Sequence, residues 1–575
     1  MTARARPASH EAAPAAGGTP SWRDLWSDGV RWGEAPWYAA FLVLVFLVGC
    51  VQLEDPDIWW HLRTGQLIYE RGQVPRTDWF TYTNPDSPWT DLHWGFQLFA
   101  AAVWHLGGTP ALVVTKSLFA VATFASALMA TRRGWPAWQA AACWLPALLI
   151  FSERNLVRPE MFSFLFLAAE LTILFHARAR PRLLWFLPAI QLLWINVQGL
   201  FVLGLVLWNC FFLGEVARWW FASGGDDSSP PPTKATFYRL ALVGGLMAAA
   251  ALANPYGFDG PLLPFTLVKR IEGPEKPFYA QFSGEFRGLG EFIERFGVGA
   301  LTQNLTTCML LVLFVLGCLS FVPRLVRGRL DLYRLSLFAL FAWLGWAANR
   351  NAMLFGLAAT TVLRANVGEW LAGHRPGEGR LRLGPVSTAA ALGILLLGVP
   401  CNLLSVMRPA ELPRWFGVGE IPNAFPHEAA EFLGRPGMPR RCYAIDEGAA
   451  AVYIFHNGPR QKVFADARLE VNTHATLERY LAIEGQIVVG DPHVLDSLTQ
   501  GIEPDASGDV EPPAILISLP YLANNGPLQR GLSRLGQYRR VYVDDSAVVF
   551  LVHERAEALG LAELHPVEAT EEPLR

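Results

Sequence analysis

Trp37-Tyr38-Ala39-Ala40-Phe41-Leu42-Val43-Leu44-Val45-Phe46-Leu47-Val48-Gly49-Cys50-Val51-Gln52-Leu53, followed by Glu54-Asp55-Pro56-Asp57-Ile58-Trp59-Trp60-His61-Leu62-Arg63-Thr64-Gly65, is the stretch that decides the fold class. Its first part is an apolar run long enough to cross a bilayer as a helix. Its second part sets two carboxylates at the membrane edge, ahead of an aromatic-rich segment. Carboxylates are poor packing material there, and they make sense where chemistry happens at a membrane surface. The plain alternative for Asp57 is capping of the helix that starts near Ile58, and capping and catalysis are compatible.

The rest of the chain extends the pattern. Of its 575 residues, 52% are hydrophobic and 17% charged, against about 25% charged in ordinary soluble domains. Apolar runs fall at 37–53, 109–130, 136–152, 160–177, 183–196, 200–219, 236–254, 302–323, 332–348, 350–366 and 385–404. They predict an α-helical polytopic membrane protein of about 11 spans. The run 94–107 is apolar but short, and suits a re-entrant or interfacial helix or a strongly tilted crossing. Residues 1–36, rich in Ala, Pro and Gly, read as a disordered cytoplasmic tail. Seven scattered cysteines without a CxxC pair argue against a disulfide framework or a structural zinc site. The net charge of −3 says nothing about nucleic acid, but no basic stripe alternates with aromatics as a nucleic-acid groove would need.

Charge sets the orientation. With the N-terminus inside and 94–107 not crossing, Arg132 and Arg133, then Arg178, Arg180 and Arg182, then Lys234 and Arg239 all lie inside. Arg324, Arg327, Arg329 and Arg334, and Arg375, Arg380 and Arg382, join them, as the positive-inside bias requires. The inner loops then hold arginines and little else. Polar segments gather on the outer face: loop 54–93, Ser152 to Glu160, Trp194 to Gly199, the loop after Asn254, and Ala348 to Asn351. The expected location is the inner membrane of a bacterial cell, with the C-terminal part extracytoplasmic.

Three units follow: the tail 1–36, a transmembrane module 37–410 with outer loop 54–93, and a soluble α/β domain 411–575 with its own core. In the last, Arg441 to Ile445, Lys462 to Ala465 and Ala514 to Ile517 read as strands. Thr473 to Ile483 and Pro527 to Leu535 read as helices, and Val541 to His553 as a terminal strand or hairpin. In loop 54–93, Ile58, Leu62, Gly65 and Tyr69 share a helical face, which suggests a helix lying in the interface with tryptophan at headgroup level.

The first loop carries a resemblance. Asp55 to Gly65, then Val74-Pro75-Arg76-Thr77-Asp78-Trp79-Phe80-Thr81-Tyr82-Thr83, then Trp89 and His93-Trp94, is similar to the first outer loop of GT-C superfamily membrane glycosyltransferases. The nearest group is bacterial and related to protein mannosyltransferases and lipid A sugar transferases. Trp194-Ile195-Asn196-Val197-Gln198-Gly199 resembles that group's Trp-x-Asn-x-His-Gly segment, with Gln198 in place of His. Asp466-Ala467-Arg468 resembles its Asp-Gly-Arg motif, with Ala467 in place of Gly.

The resemblance implies a polyprenyl-phosphate-linked sugar as donor, inverting transfer on the non-cytoplasmic face, and a catalytic acid at Asp57 or Asp55. The acceptor is a glycan, lipid or protein hydroxyl of the cell envelope. A carboxylate suits the proton transfer. The phosphate leaving group calls for positive charge, from Arg158, Arg154 or Arg350 at the outer ends of spans. Asp55 with Asp57 makes a partial site for a divalent cation such as Mg or Mn. Substrate-binding candidates are His61, Asp91, His93, Asn196 and Gln198. Each has a plainer reading as a cap, a hydrogen-bonded loop residue or an interface group. Tyr443, Asp446, Asp466 and Arg468 read as strand-end residues, with a loop-anchoring ion pair favoured over acceptor binding. The competing functions are a non-catalytic scaffold on the same fold and a transporter, although transporters place polar groups mid-span.

Overall fold

The computed structural model describes residues 35–131, 137–221, 231–271, 273–282, 287–297, 305–328, 330–374, 416–502, 504, 510–519 and 526–564. In chain order the helices used below are α1 (Ala35–Gly49), α2 (Asp57–Arg71), α3 (Trp94–Ala130), α4 (Leu145–Glu153), α5 (Glu160–Ala177) and α6 (Leu187–Ile195). They continue with α7 (Val202–Phe221), α8 (Lys234–Leu252), α9 (Leu305–Val326), α10 (Leu332–Ala347) and α11 (Ala352–His374). The C-terminal part holds β1 (Arg441–Ala444), α12 (Glu447–Asn457), β2 (Lys462–Val463), α13 (His474–Val489), β3 (Ala514–Ser518), β4 (Tyr538–Val543) and β5 (Ala547–Val552).

Five described helices are long and apolar enough to cross a membrane: Trp94–Ala130, Glu160–Ala177, Gly199–Phe221, Lys234–Leu252 and Thr306–Val326. Ala35–Gly49, Pro181–Ile195 and Leu332–Ala347 are apolar but shorter. The expected run 385–404 lies outside the described residues. Phe41, Phe124, Trp144, Leu167, Trp194 and Leu337 build one core through the bundle. Trp220, Leu242, Val315 and Trp343 face outward, as lipid-facing side chains do.

The short run 94–107 is the first arm of α3. The helix breaks at Gly107 and Gly108, the latter at φ 60°, a conformation that favours glycine. That arm packs against α2. A Cβ at Gly65 would lie 2.1 Å from the Gln97 carbonyl oxygen, so only glycine allows this approach.

Helix α2 corrects the interfacial expectation. Ile58, Trp59, Trp60, His61, Leu62, Thr64, Gly65, Leu67 and Ile68 are all buried, while Tyr69 is 85% exposed. The helix runs between α3 and the C-terminal part, covered by protein on both sides. Its tryptophans are core residues: Trp59 meets Phe425 and Phe455 at ring-centroid distances of 5.5 and 5.0 Å.

The C-terminal sheet has the order β2-β1-β3-β5-β4, parallel at β2-β1-β3 and antiparallel beyond. The expected strands and terminal hairpin are present. Tyr443, Phe464, Ile483, Ile515 and Phe550 form a core within the C-terminal part, and a second core there is shared with the first loop. Ile58, Trp59, Leu62, Phe80 and Trp89 share one core with Cys442, Val452, Val463 and Leu516. The first loop also joins the sheet edge: Thr81 bridges Val463 in parallel, the Tyr82 N–H donates to the Val463 carbonyl (3.0 Å), and the Val463 N–H to that of Phe80 (2.9 Å).

The far end of the bundle holds more than arginines. Arg178 donates to Glu215 and Asp331, each at 2.7 Å, and Arg334 pairs with Glu369. Helix α5 joins the two ends, with Arg158 just before it and Arg178 just after it. At 18 residues it spans about 27 Å.

Candidate active site

The site starts from the turn that leaves α1. Helix α2 begins at Asp57, with Pro56 as the preceding residue and no side-chain cap. The backbone N–H of Asp57 donates instead to Asp55 Oδ1 (3.3 Å). Turn-shaping therefore falls to Asp55, and Asp57 stands in the first turn, where a helix favours negative charge.

Arg158 closes on both acids. Its Nε donates to Asp55 Oδ2 (2.6 Å) and its Nη2 to Asp55 Oδ1 (2.8 Å), a bidentate pair. Nη2 also lies 3.0 Å from Asp57 Oδ2. The side chain of Asp55 is 2% exposed, against 20% for Asp57 and 22% for Arg158. Asp55 is thus the buried anchor, and Asp57 is the carboxylate that solvent or substrate reaches. Pro159 and Glu160 start α5 directly after Arg158 and fix where it points.

The other arginines go elsewhere. Arg154 donates to Glu160 (3.1 Å). Arg350 sits on the 3-10 turn Asn349–Asn351, where the Asn349 N–H donates to the Arg287 carbonyl (3.0 Å).

One helical turn beyond Asp57, His61 lies on the same face of α2. It is buried, with Nδ1 3.4 Å from Gln97 Nε2 and its ring 5.6 Å from that of His93. Burial first, then the nearby His93, Arg158 and Arg468, pushes its pKa well below the usual imidazole value. It is a neutral group at pH 7. Asp91 is enclosed beside it: Oδ1 accepts the His93 N–H (3.0 Å) and faces the His93 ring at 3.6 Å. Oδ2 of Asp91 has no hydrogen-bond partner among the described residues. Burial pushes Asp91 up to about 6.

Asn196 and Gln198 serve local structure. Asn196 Nδ2 donates to the carbonyls of Leu192 (2.8 Å) and Ala253 (2.9 Å), while Oδ1 accepts from Trp94 Nε1 (3.1 Å). It staples the end of the first loop to two other loops. Beside it runs a groove of about 590 Å³ lined by Trp94, Leu193, Asn196, Asn254 and Pro255. Gln198 accepts the Leu200 N–H (2.6 Å) and caps a short 3-10 turn.

Asp466 and Arg468 form the loop-anchoring ion pair. Arg468 is fully enclosed and donates to Asp466 (2.5 Å) and to Asp78 of the first loop (2.7 Å). Its guanidinium lies 4.3 Å from the Trp89 ring centre. Burial works against the charge, but Asp466 and Asp78 outweigh it and raise the arginine's pKa above its ordinary value. Tyr443 is a core residue whose hydroxyl donates to the Tyr480 carbonyl (2.8 Å). Asp446 caps α12 by accepting the Ala449 N–H (2.7 Å).

Sequence reasoning missed α12. A Cβ at Gly448 would lie 3.1 Å from Pro56 Cβ, so this helix start is seated on the Asp55-Pro56-Asp57 turn. It brings Glu447 beside Asp57 and Arg158. Burial, then the negative charge of Asp57, pushes Glu447 up to about 8. A divalent cation finds a poor fit: Arg158 holds the Asp55 and Asp57 oxygens, and no cluster of three acid, His or Cys ligands occurs among the described residues.

No protein-family model matches the chain, and no curated protein matches it significantly. Among solved structures it is similar to the crystal structure of the Archaeoglobus fulgidus oligosaccharyltransferase in the apo form. The TM-score is 0.48 and the identity 12%, over 91% of this chain and 75% of that one. A likeness this low carries no argument about function.

Proposed function

We propose that the protein is a membrane glycosyltransferase of the GT-C type. It moves a sugar from a polyprenyl-phosphate donor to a hydroxyl of a cell-envelope acceptor on the non-cytoplasmic face. The observation that carries this reading is the unequal pair at the membrane-edge turn: Asp55 locked by Arg158, Asp57 beside the same guanidinium but partly open. The sequence resemblance of the first loop supports the donor class.

In this reading Asp57 takes the proton from the acceptor hydroxyl as its oxygen attacks the anomeric carbon. Arg158 holds Asp57 in place and presents positive charge toward the departing phosphate. Asp55 fixes the guanidinium plane. No step is routed through a metal. The arginine-rich end of the bundle favours placing the Asp57 end outside the cytoplasm.

The test is single Asp57→Asn and Asp55→Asn substitution of the full chain in a bacterial host whose envelope glycans are profiled. Loss of one glycan with the Asp57 variant, at unchanged protein level, supports the reading. Two well-folded variants with every glycan intact sink it.

A further inference from the structure

Glu447 is the side chain beside the site that the turn chemistry above leaves without a task. It is the first residue of α12, next to the capping Asp446 and to Gly448, which rests on Pro56. The charges facing it are Asp57, Asp466, Arg158 and Asp446. Among the described residues no hydrogen bond or ion pair engages its carboxyl, whereas Asp57 is held by Arg158 at 3.0 Å. Two neighbouring acids, one ion-paired with the guanidinium and one not, divide their proton unequally. The proton belongs on Glu447.

We propose that Glu447 is the second catalytic group of the site, a neutral carboxylic acid that donates its proton to the donor's phosphate oxygen while Asp57 accepts the proton of the acceptor hydroxyl. The inference rests on the transferase reading. The bond from acceptor oxygen to anomeric carbon forms, and the bond from that carbon to the phosphate oxygen breaks. The electron pair stays on phosphate, which receives the Glu447 proton and leaves as a phosphate monoester. Asp57 then holds the acceptor's proton and returns it to Glu447, so the pair resets with no other reactant. A carboxylic acid kept neutral by its surroundings is an effective hydrogen-bond donor.

The test uses the full-length protein in detergent and farnesyl methyl phosphate, a diester whose own charge is constant across the titration. Binding is followed by tryptophan fluorescence. The parent chain is expected to bind about tenfold more weakly at about pH 9.5 than at about pH 6.5, as Glu447 ionises. Glu447→Gln keeps a donor and is expected to bind equally at both pH values. Glu447→Ala is expected to bind several-fold more weakly and without pH dependence. If the alanine variant and the parent titrate alike, the inference falls and the transferase reading stands. If the folded parent does not bind the diester, the transferase reading falls and the inference with it.

Discussion

Among the described residues two arginines are each clasped by two aspartates, and they differ in one respect. Arg468, Asp466 and Asp78 are wholly enclosed, with side chains 0% exposed, against the aromatic face of Trp89. Arg158, Asp55 and Asp57 have the same composition, but Arg158 and Asp57 are about one-fifth exposed. The first cluster joins two distant parts of the chain and touches no solvent, so it suits holding. The second leaves one carboxylate within reach at a membrane edge, so it suits reacting. Identical groups thus serve different ends according to whether one oxygen is left open.

The largest expected effect breaks the open cluster. Asp57→Asn should lower sugar transfer by about 10²- to 10⁴-fold. Its melting temperature should stay near that of the parent, because Arg158 keeps its bidentate bond to Asp55. Initial rates and thermal melts on one detergent preparation measure both. A melting loss as large as the rate loss would make this cluster a structural clasp like the other.

Next, Arg468→Ala should destabilise the outer part by about 3–5 kcal/mol, because it leaves Asp466 and Asp78 buried without their partner. Arg158→Ala should cost less stability, since water reaches that site. Chemical denaturation of both variants, followed by tryptophan fluorescence, decides the order. Equal losses would erase the contrast.

The clusters should also separate by pH. Burial raises the Asp78 carboxyl, but the Arg468 charge and hydrogen bonds from Thr81 and Phe80 outweigh it and hold it below the usual value. A depressed carboxylate stabilises above its unfolded pKa and loses that contribution as pH falls through its folded value. Glu447 is raised to about 8, the opposite sign. Between the ordinary glutamate value of 4.5 and about 8 the folded state holds the extra proton, so stability falls as pH rises. Glu447→Gln should flatten the loss between pH 4.5 and about 8 and leave the limb below that window unchanged. Melting curves from acid to alkaline pH show whether it does.

The smallest effect concerns the rim of the closed cluster. Asn84 exchanges hydrogen bonds with Asn472 (3.1 Å) and Thr476 (3.0 Å). Asn84→Ala should cost about 1–3 kcal/mol in the same denaturation series, with transfer unchanged. A change in rate would show that the closed cluster also tunes the open one.

Much of this was readable from the chain. The apolar runs mark helices because bilayer-length burial leaves a local signature, and ten of those runs overlap described helices. Asp57 and Arg158 stood out because charge at the ends of apolar runs is locally visible, and the structure brings them to 3.0 Å. What escaped was non-local. The pairing of Asp78 with Arg468 joins residues 390 positions apart. Helix α12 is buried from Gly448 to Ile454, so it lacks the apolar–polar period that betrays a half-exposed helix. Helix α2 looked interfacial because its second cover is supplied by residues beyond 416, which no local pattern announces.

The strand-like pairing of Thr81 with Val463 has a consequence for how the molecule is made. The chain emerges from the ribosome in order, so loop 54–93 is delivered to its compartment long before its sheet partner is translated. Until then Trp59, Phe80 and Trp89 lack the cover they have in the finished protein. The Asp55-Pro56-Asp57 turn is therefore completed last, after the described apolar helices have been made. A chain released early, before residue 463, is expected to keep its helices and to expose loop 54–93 to added protease, whereas the full chain protects it.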